Sequence, residues 1–358
     1  MKVAVVYPVP FGLQGYYGGG ERYPLEFARA LARLCSCHYV DFASRPQSCV
    51  DDFGLQHTTL PIHWRGSSEF DPMSLSLWQL LRHFDILHFF SLNKMAVLAA
   101  ASSRLTRTKV VITPVGAGGR SGLRRLGLHR LVAGYLPISE YSCQHDPWMT
   151  AKPCKVIYGG GNPSAFATPQ PSWPRPRRIL FVGRITPHKG VDILLQAAPS
   201  EAEVVICGQT LDSEYSQHLR TLAAGRNVRF LNPTDDRSLA SAYATSSVCV
   251  LPSLSHDYLG RQHAHPELLG LVLLEAMWHG TPVIGSRIGA IPEIVDDGNV
   301  GLLVPPGGVK ELNAALTLLL DDPARAESMG RRAIEWVRDR FTWQRVAATA
   351  FDFYRLLS

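Results

Sequence analysis

Two glutamates eight positions apart, Glu267 and Glu275, mark the segment of this chain that is best suited to chemistry. They flank a turn, Gly270-Leu271-Val272, and the apolar run after the turn predicts a helix. Each carboxylate can accept hydrogen bonds from sugar hydroxyls, and the free amides at a helix N-terminus attract an anion. The pattern indicates a ligand in which a polyol is joined to a phosphate.

A pair of cations precedes this segment in the chain. An apolar run over residues 179–182 predicts a strand, Gly183 and Arg184 follow it, and Lys189 and Gly190 lead into a helical pattern. A guanidinium and an ammonium on one loop suit the diphosphate of a nucleotide sugar, because they stabilise the charge that grows as the sugar bond breaks. Such residues are often merely solvated, but the glutamate pair that follows favours a shared site.

A glycine-rich turn, Gly18-Gly19-Gly20, follows the first predicted strand and leads into a helix. Glycine lets the backbone approach a ligand closely at a helix start. The turn lacks the G-x-G-x-x-G spacing of a dinucleotide site, and many strand-to-helix turns are rich in glycine. Taken alone, it is a weak signal.

The glutamate segment resembles the retaining GT-B glycosyltransferases of family 4, or group 1, with the pattern E-x-x-G-L-x-x-x-E-A-M-x-x-G-x-P-V. All fixed positions are present: Glu267, Gly270, Leu271, Glu275, Ala276, Met277, Gly280, Pro282 and Val283. The loop from Gly183 to Gly190 matches the family's G-R-x4-K-G pattern. An amphipathic core helix with two solvated glutamates would not explain the Gly and Pro positions.

The resemblance implies transfer of a sugar from a nucleoside-diphosphate sugar to an acceptor hydroxyl, with retention at the anomeric carbon. Under it, Arg184 and Lys189 neutralise the leaving diphosphate, Glu267 holds the sugar hydroxyls and Glu275 holds the ribose. The donor site would be completed by Gly18, Gly19, Gly183 and the amides of Gly270, Leu271 and Val272. It implies no permanently bound cofactor, and because the chain has no Asp-x-Asp signature we expect no essential metal.

One departure from the family pattern concerns the sugar pocket. Val115 stands where many relatives carry a histidine that helps to hold the sugar. Gly116 and Gly118 in the loop that follows, or His88 at the end of an earlier strand, are candidate replacements. For His88, a core histidine is the favoured alternative.

A second departure is an insertion of thirteen residues, 254–266, between Ser253 and Glu267. Its histidines and arginine make His256, Arg261 and His265 candidate contacts for acceptor or donor specificity. The alternatives are a plain surface loop and, with less support, a metal site, since the histidine spacing fits no single helix or strand face.

Short β-branched runs alternate with helical patterns through both halves of the chain, which predicts an α/β protein with two doubly wound parallel sheets. The resemblance implies two Rossmann-like domains that face a cleft. We expect an acceptor-binding domain over residues 1–168, a proline-rich linker over 169–176 and a nucleotide-sugar-binding domain over 177–340. The remaining residues, 341–358, should form a helix that crosses back to the first domain.

The predicted strands are 3–6, 37–42, 86–90, 110–113, 135–138, 179–182, 204–207, 228–231, 248–251, 282–284 and 301–304.

The seven cysteines are scattered without a C-x-x-C pair, which argues against a disulfide framework or a zinc site. No apolar run approaches the ~18 residues of a membrane span, and no secretory signal is evident. We therefore expect a cytoplasmic protein.

Positive charge is concentrated in the first half, where residues 1–170 carry 17 Lys and Arg against 10 Asp and Glu. Residues 123–131 alternate leucine with cations, as a surface-seeking amphipathic segment does. This predicts a phosphorylated or lipid-linked acceptor and peripheral contact with the inner face of an anionic membrane. A solvated helix with inward leucines is the alternative, and nucleic acid is disfavoured because no aromatic residues interleave.

Two other functions fit the same motifs. A GT-B nucleotide-sugar epimerase or a sugar phosphorylase would keep the fold and change the reaction. A non-catalytic nucleotide-sugar-binding scaffold would explain the missing histidine, but the intact Glu267, Glu275, Arg184 and Lys189 argue against an inactive site.

Overall fold

A computed structural model describes the chain over residues 1–10, 18–66, 71–115, 126–166, 172–210, 212–232 and 235–357. The chain folds into two compact units. The first comprises Met1–Tyr158 together with Trp343–Ser358, and the second comprises Gly159–Thr342. Within the described ranges, no helix combines the length and apolar composition needed to cross a membrane.

The first unit holds a sheet in the order β3-β4-β2-β1-β7-β8-β9 and a short β5-β6 hairpin. The strands are β1 Lys2–Val6, β2 Ser36–Ala43, β3 Gln47–Val50, β4 Gln56–Pro61, β5 Trp64–Arg65, β6 Pro72–Met73, β7 Ile86–Phe89, β8 Lys109–Ile112 and β9 Gly134–Tyr135. All pairings in the large sheet are parallel except that of the edge strand β3 with β4. The sequence analysis missed β3 and β4 because both are mostly polar and lack a buried apolar run; β3 is exposed and β4 is mostly half-buried.

The second unit holds a fully parallel sheet in the order β12-β11-β10-β13-β14-β15. The strands are β10 Arg178–Val182, β11 Glu203–Cys207, β12 Val228–Leu231, β13 Val248–Leu251, β14 Val283–Ser286 and β15 Gly301–Val304. The chain runs outward from β10 to β12 and then returns to the other side of β10 with β13. Loops that leave β10 and β13 therefore part at a topological switch point, where ligands bind in sheets of this kind.

Helices connect the strands in both units, which confirms the prediction of two doubly wound parallel sheets. In the first unit they are Gly19–Leu31, Leu77–His83, Lys94–Ser102, Glu140–His145 and Trp343–Leu357. In the second they are Val191–Ala197, Ser213–Ala223, Asp236–Thr245, Leu271–Trp278, Ile291–Ile294, Val309–Asp321 and Pro323–Arg340.

The described part of the proline-rich segment, residues 172–176, is anchored in the second unit by Arg175. This arginine is 8% exposed, and its guanidinium donates to the carbonyl oxygens of Ser246 at 2.8 Å and His279 at 2.9 Å and to the Thr281 hydroxyl at 2.5 Å. Burial lowers the pKa of Arg175 to about 10. The hydrogen bonds offset the cost of burying this charge.

The carboxyl-terminal helix packs into the first unit through His88, as predicted for a helix that crosses back. The Tyr354 hydroxyl lies 2.6 Å from His88 Nδ1, and Thr113 Oγ1 lies 2.7 Å from His88 Nε2. Because the Thr113 hydroxyl itself donates to Leu136 O at 2.6 Å, it must accept from Nε2–H, which leaves Nδ1 to accept from Tyr354. His88 is fully buried, and burial lowers its pKa to about 3.

A neutral, buried His88 predicts a pH dependence of stability. The unfolded chain takes up a proton on this histidine near pH ~6.5, whereas the folded chain does so only near pH 3. Stability should therefore be full above the unfolded pKa and fall as the pH drops between these values. His88→Gln should lower the slope of unfolding free energy against pH by up to about 1.4 kcal/mol per pH unit. Urea unfolding at pH 4 to 7 measures it, and equal slopes for variant and wild type would contradict the assignment.

Candidate functional site

The loop after β10 carries the two cations and is fastened to the neighbouring strand end. The amide of Gly183 donates to Cys207 O at 3.0 Å, and that of Ile185 donates to Gln209 O at 2.8 Å. The loop then turns once, with the Lys189 amide donating to Thr186 O at 2.9 Å. These bonds hold the loop at the switch point of the second sheet.

The loop after β13 is joined directly to this cationic loop. The Leu254 amide donates to His188 O at 2.8 Å. Gly190 has φ of +67°, and a Cβ there would lie 2.1 Å from Pro252 O. Only glycine fits this left-handed conformation at so close an approach.

Lys189 and Glu267 form a largely buried ion pair where the two loops meet. Lys189 Nζ lies 2.6 Å from Glu267 Oε2, and the two side chains are 15% and 11% exposed. The Ser253 hydroxyl donates to the same oxygen at 3.3 Å. The structure thus brings together two residues of the predicted catalytic set that lie 78 positions apart.

A third loop, after β14, contacts the backbone of Glu267. The Ala290 amide donates to Glu267 O at 3.1 Å. Gly289 has φ of +59°, and a Cβ there would lie 2.2 Å from the same carbonyl oxygen. The loop after β14 therefore fixes the backbone carbonyl of Glu267, while Lys189 and Ser253 contact its side chain.

The helix Leu271–Trp278 begins close behind Glu267 in the chain. Gly270 occupies its N-cap with φ of +89°. The first amides of a helix, here those of Leu271 and Val272, have no carbonyl partner within the helix and carry partial positive charge. Amides of this kind can bind an anion.

Glu275 lies inside this helix, one turn beyond Leu271. It is 2% exposed, and the Tyr243 hydroxyl donates to its Oε2 at 2.8 Å. The second glutamate of the motif is thus fixed in orientation by a tyrosine of the preceding helix Asp236–Thr245.

Arg184 is the exposed cation of the site. Its side chain is solvent-facing, and within the described ranges it makes no hydrogen bond or ion pair. The guanidinium is therefore available to a ligand, in contrast to Lys189, which is engaged by Glu267.

The insertion 254–266 contains a polar cluster that the sequence analysis did not assign. Asp257 is 6% exposed and lies 3.0 Å from His263, whose ring packs on that of His188. The candidates His256 and Arg261 lie on the exposed side of the loop, whereas His265 is half-buried. The sequence signal that could have indicated the contact between Asp257 and His263 is Gly260, which lies between them and favours a turn.

The other candidates fall in the first unit. Gly18 is the N-cap of the helix Gly19–Leu31, and Gly19 is its first residue. His88 lies in the core with both ring nitrogens engaged, so we do not carry it into the proposed site. Gly116, Gly118 and the first three residues, 123–125, of the basic segment 123–131 lie outside the described residues.

Comparison with known proteins adds a family match in the second half of the chain. Residues 168–336 match the family model of group 1 glycosyl transferases. This supports the resemblance deduced from the glutamate and Gly-Arg motifs over the region that contains the site.

Curated proteins similar to this chain are named as glycosyltransferases. A D-inositol 3-phosphate glycosyltransferase of Corynebacterium aurimucosum is 32% identical over 189 residues, which cover 49% of this chain and 42% of that protein. This chain thus matches less than half of that relative's length. A phosphatidyl-myo-inositol mannosyltransferase of Mycolicibacterium smegmatis is 27% identical over 385 aligned positions, covering 100% of this chain and 94% of the relative.

Solved structures show the same fold. Sucrose-phosphate synthase from Thermosynechococcus elongatus has a TM-score of 0.75 at 21% identity, covering 100% of this chain and 99% of the other. Anabaena HepE in complex with UDP and glucose has a TM-score of 0.74 at 18% identity, covering 99% and 100%. The fold is that of the GT-B glycosyltransferases, with two Rossmann-like units.

No group of three or more His, Cys, Asp or Glu side chains in the described part of the chain is arranged to hold a metal ion. The histidines of the insertion, for which a metal was one alternative, do not converge with their aspartate into such a set.

The close approach of Gly289 to Glu267 gives a stability test with a matched control. Gly289→Ala and Gly298→Ala both place a side chain at positive φ, but nothing lies within 4 Å of a Cβ at Gly298. Gly298→Ala should cost about 1–2 kcal/mol of unfolding free energy from backbone strain. Gly289→Ala should cost about 1–3 kcal/mol more, because Glu267 must move. Denaturant titration compares the two, and equal losses would show that the approach to Glu267 carries no constraint.

Proposed function

We propose that this chain is a retaining GT-B glycosyltransferase of group 1 that moves a hexose from a nucleoside-diphosphate sugar to an acceptor hydroxyl. The observation that carries the proposal is the convergence of Lys189, Glu267 and the start of the helix Leu271–Trp278 at the switch point of the second sheet. Exposed Arg184 borders the same loop. The donor site belongs to the second unit, and the acceptor domain is the first.

The cationic loop and the helix start would bind the donor diphosphate. Arg184 offers a fork of donors to phosphate oxygens, and the amides of Leu271 and Val272 add a dipole of the right sign. Lys189, which contacts Glu267, would add its positive charge to the same diphosphate. As the bond between the anomeric carbon and the phosphate oxygen breaks, these groups stabilise the charge that develops on the diphosphate.

Glu267 would hold the sugar hydroxyls, and Glu275 would hold the ribose. In a front-face reaction the new bond from the anomeric carbon to the acceptor oxygen forms on the side that the phosphate leaves. The acceptor proton passes to the departing phosphate oxygen. This scheme needs neither a second hydrolase-type carboxylate nor a divalent cation, so turnover should survive chelation.

The relatives favour a phosphorylated acceptor. The names of two of them refer to an inositol phosphate, in free form or within a lipid. HepE, which shares the fold, was solved with UDP and glucose. The excess of 17 basic over 10 acidic residues in positions 1–170 suits such an acceptor in the first unit.

Arg184→Ala tests the donor site. Because Arg184 is exposed, the unliganded melting temperature should stay unchanged, while kcat/KM should fall by about 10²–10³-fold. Thermal shift with UDP-, GDP-, ADP- and dTDP-sugars should first identify the nucleotide that stabilises the wild type, and this shift should shrink in the variant. Arg325→Ala, at an exposed arginine of the helix Pro323–Arg340, is the control.

The reaction itself separates this proposal from its rivals. Transfer to an inositol phosphate acceptor with EDTA present, and a product whose anomeric configuration by NMR matches that of the donor, would support it. Conversion of the donor without acceptor would indicate an epimerase, and dependence on inorganic phosphate would indicate a phosphorylase. Binding without any turnover would indicate a scaffold.

We also propose that the first unit makes peripheral contact with the cytoplasmic face of an anionic membrane. Of the predicted basic segment 123–131, residues 123–125 lie outside the described residues and Leu128–Leu131 form a short 3-10 helix in which His129 is buried. The proposal therefore rests on another surface. Trp64, Leu75 and Trp78 are 58%, 64% and 43% exposed and sit on adjoining backbone, since the Leu75 amide donates to His63. Arg82, also exposed, is one turn beyond Trp78. Tryptophan and arginine together suit the interface of an anionic bilayer.

Replacing both tryptophans with serine, Trp64→Ser with Trp78→Ser, should weaken binding to vesicles that contain anionic lipid. Binding by the wild type should fall with added salt and be weak on zwitterionic vesicles. Phe230→Ser, at a 43% exposed residue of the second unit, is the control and should bind like the wild type. Sedimentation with vesicles measures this, and undiminished binding by the double variant would remove this surface from the proposal.

A further inference from the structure

The insertion 254–266 is organised around the buried carboxylate of Asp257. One oxygen accepts the amides of Leu259 and Arg261, both at 3.0 Å, and the other lies 3.0 Å from His263 Nε2. The Asp257 side chain is 1% exposed. Backbone bonds close the loop on itself, including one from the His263 amide to Ser255 O at 2.8 Å. The insertion is therefore a structured loop with a fixed histidine.

His263 packs against the residue that precedes the catalytic-site lysine. Its ring centroid lies 4.8 Å from that of His188 at an interplanar angle of 34°. Burial, together with the smaller effect of the neighbouring Lys189 charge, lowers the pKa of His188 to about 3. His188 is thus neutral at physiological pH and can sit beside Lys189 without repelling it. The contact between the two rings ties the insertion to the cationic loop.

A second contact reaches the far end of the same loop. Tyr258 stacks on His218 at 4.7 Å and 6° and on Tyr215 at 5.4 Å and 28°. The Tyr215 hydroxyl donates to Asp192 Oδ1 at 2.7 Å and accepts from the Asp192 amide at 3.2 Å. Asp192 is the second residue of the helix that begins directly after Gly190. The insertion therefore supports the loop before and after Lys189.

We propose that the insertion is a brace that holds Lys189 against Glu267, and that Asp257 and His263 are positioning residues for the transfer reaction. The inference rests on the proposed function, since it concerns the same donor site. A lysine side chain has four rotatable bonds and loses precision easily unless its backbone is fixed. Catalytic groups need their geometry held within about 0.5 Å, which is what supporting residues of this kind supply.

Variants at His263 separate its two contacts. His263→Ala removes both the ring contact with His188 and the bond to Asp257, and should lower kcat by about 10–100-fold while the donor KM changes little. His263→Phe keeps a ring against His188 and should recover part of that loss. Gln262→Ala, an exposed neighbour in the same loop, is the control and should match the wild type. A merely structural role would instead lower the melting temperature without this split between kcat and KM.

Amide hydrogen exchange tests the brace without any substrate. The Leu254 amide bonds to His188 O and the Lys189 amide bonds to Thr186 O, so both should exchange faster in His263→Ala than in Gln262→Ala. Unchanged exchange at these amides would overturn the brace even if the enzyme is active. If these amides exchange faster in His263→Ala, but the wild type shows no turnover with any nucleotide sugar, the brace stands and the proposed function fails. Equal kcat in His263→Ala and wild type would remove His263 as a positioning residue.

Discussion

The ion pair between Lys189 and Glu267 is the interaction on which the candidate site depends. Both side chains are almost withdrawn from water, and removing either partner would leave an uncompensated charge. The two residues come from loops on opposite sides of a reversal in strand order. The pair can form only if β10 and β13 are neighbours and their loops touch, so the contact ties local chemistry to the topology of the whole sheet.

That requirement explains several glycines in and near the two motifs. At Gly190 and Gly289 one loop crosses another so closely that a Cβ would overlap a carbonyl oxygen, and both residues have positive φ. Gly270 turns the chain into the helix, also at positive φ. Amphipathic spacing accounts for none of these positions. Gly190 and Gly289 mark places where backbone passes backbone near Lys189 and Glu267, and Gly270 marks the turn into the helix.

The sequence predicted the elements that carry local signals. Apolar runs predicted the strands of the second sheet, and the two motifs singled out Glu267 and Lys189, which the structure brings within 2.6 Å of each other. It missed β3 and β4, whose residues are mostly polar: β4 forms by pairing with β2, and β3 forms by pairing with β4. It also missed the cluster of Asp257 and His263, because its partner His188 lies far away in the chain. Long-range contacts leave no local sequence pattern, so such residues cannot be distinguished in the sequence from those of an ordinary polar loop.

The same ion pair bears on how a donor would be selected. In the unliganded chain the charges of Lys189 and Glu267 neutralise each other. A ligand that separates the pair must therefore offer each residue a new partner. Under the proposed function, an anion alone would draw Lys189 away and leave the carboxylate of Glu267 buried without a cation, while a free sugar would offer hydroxyls to Glu267 but nothing to Arg184. A molecule that carries a polyol and a diphosphate at the right separation compensates both groups at once. Selectivity for an intact nucleotide sugar over its fragments would then follow from the cost of separating the pair.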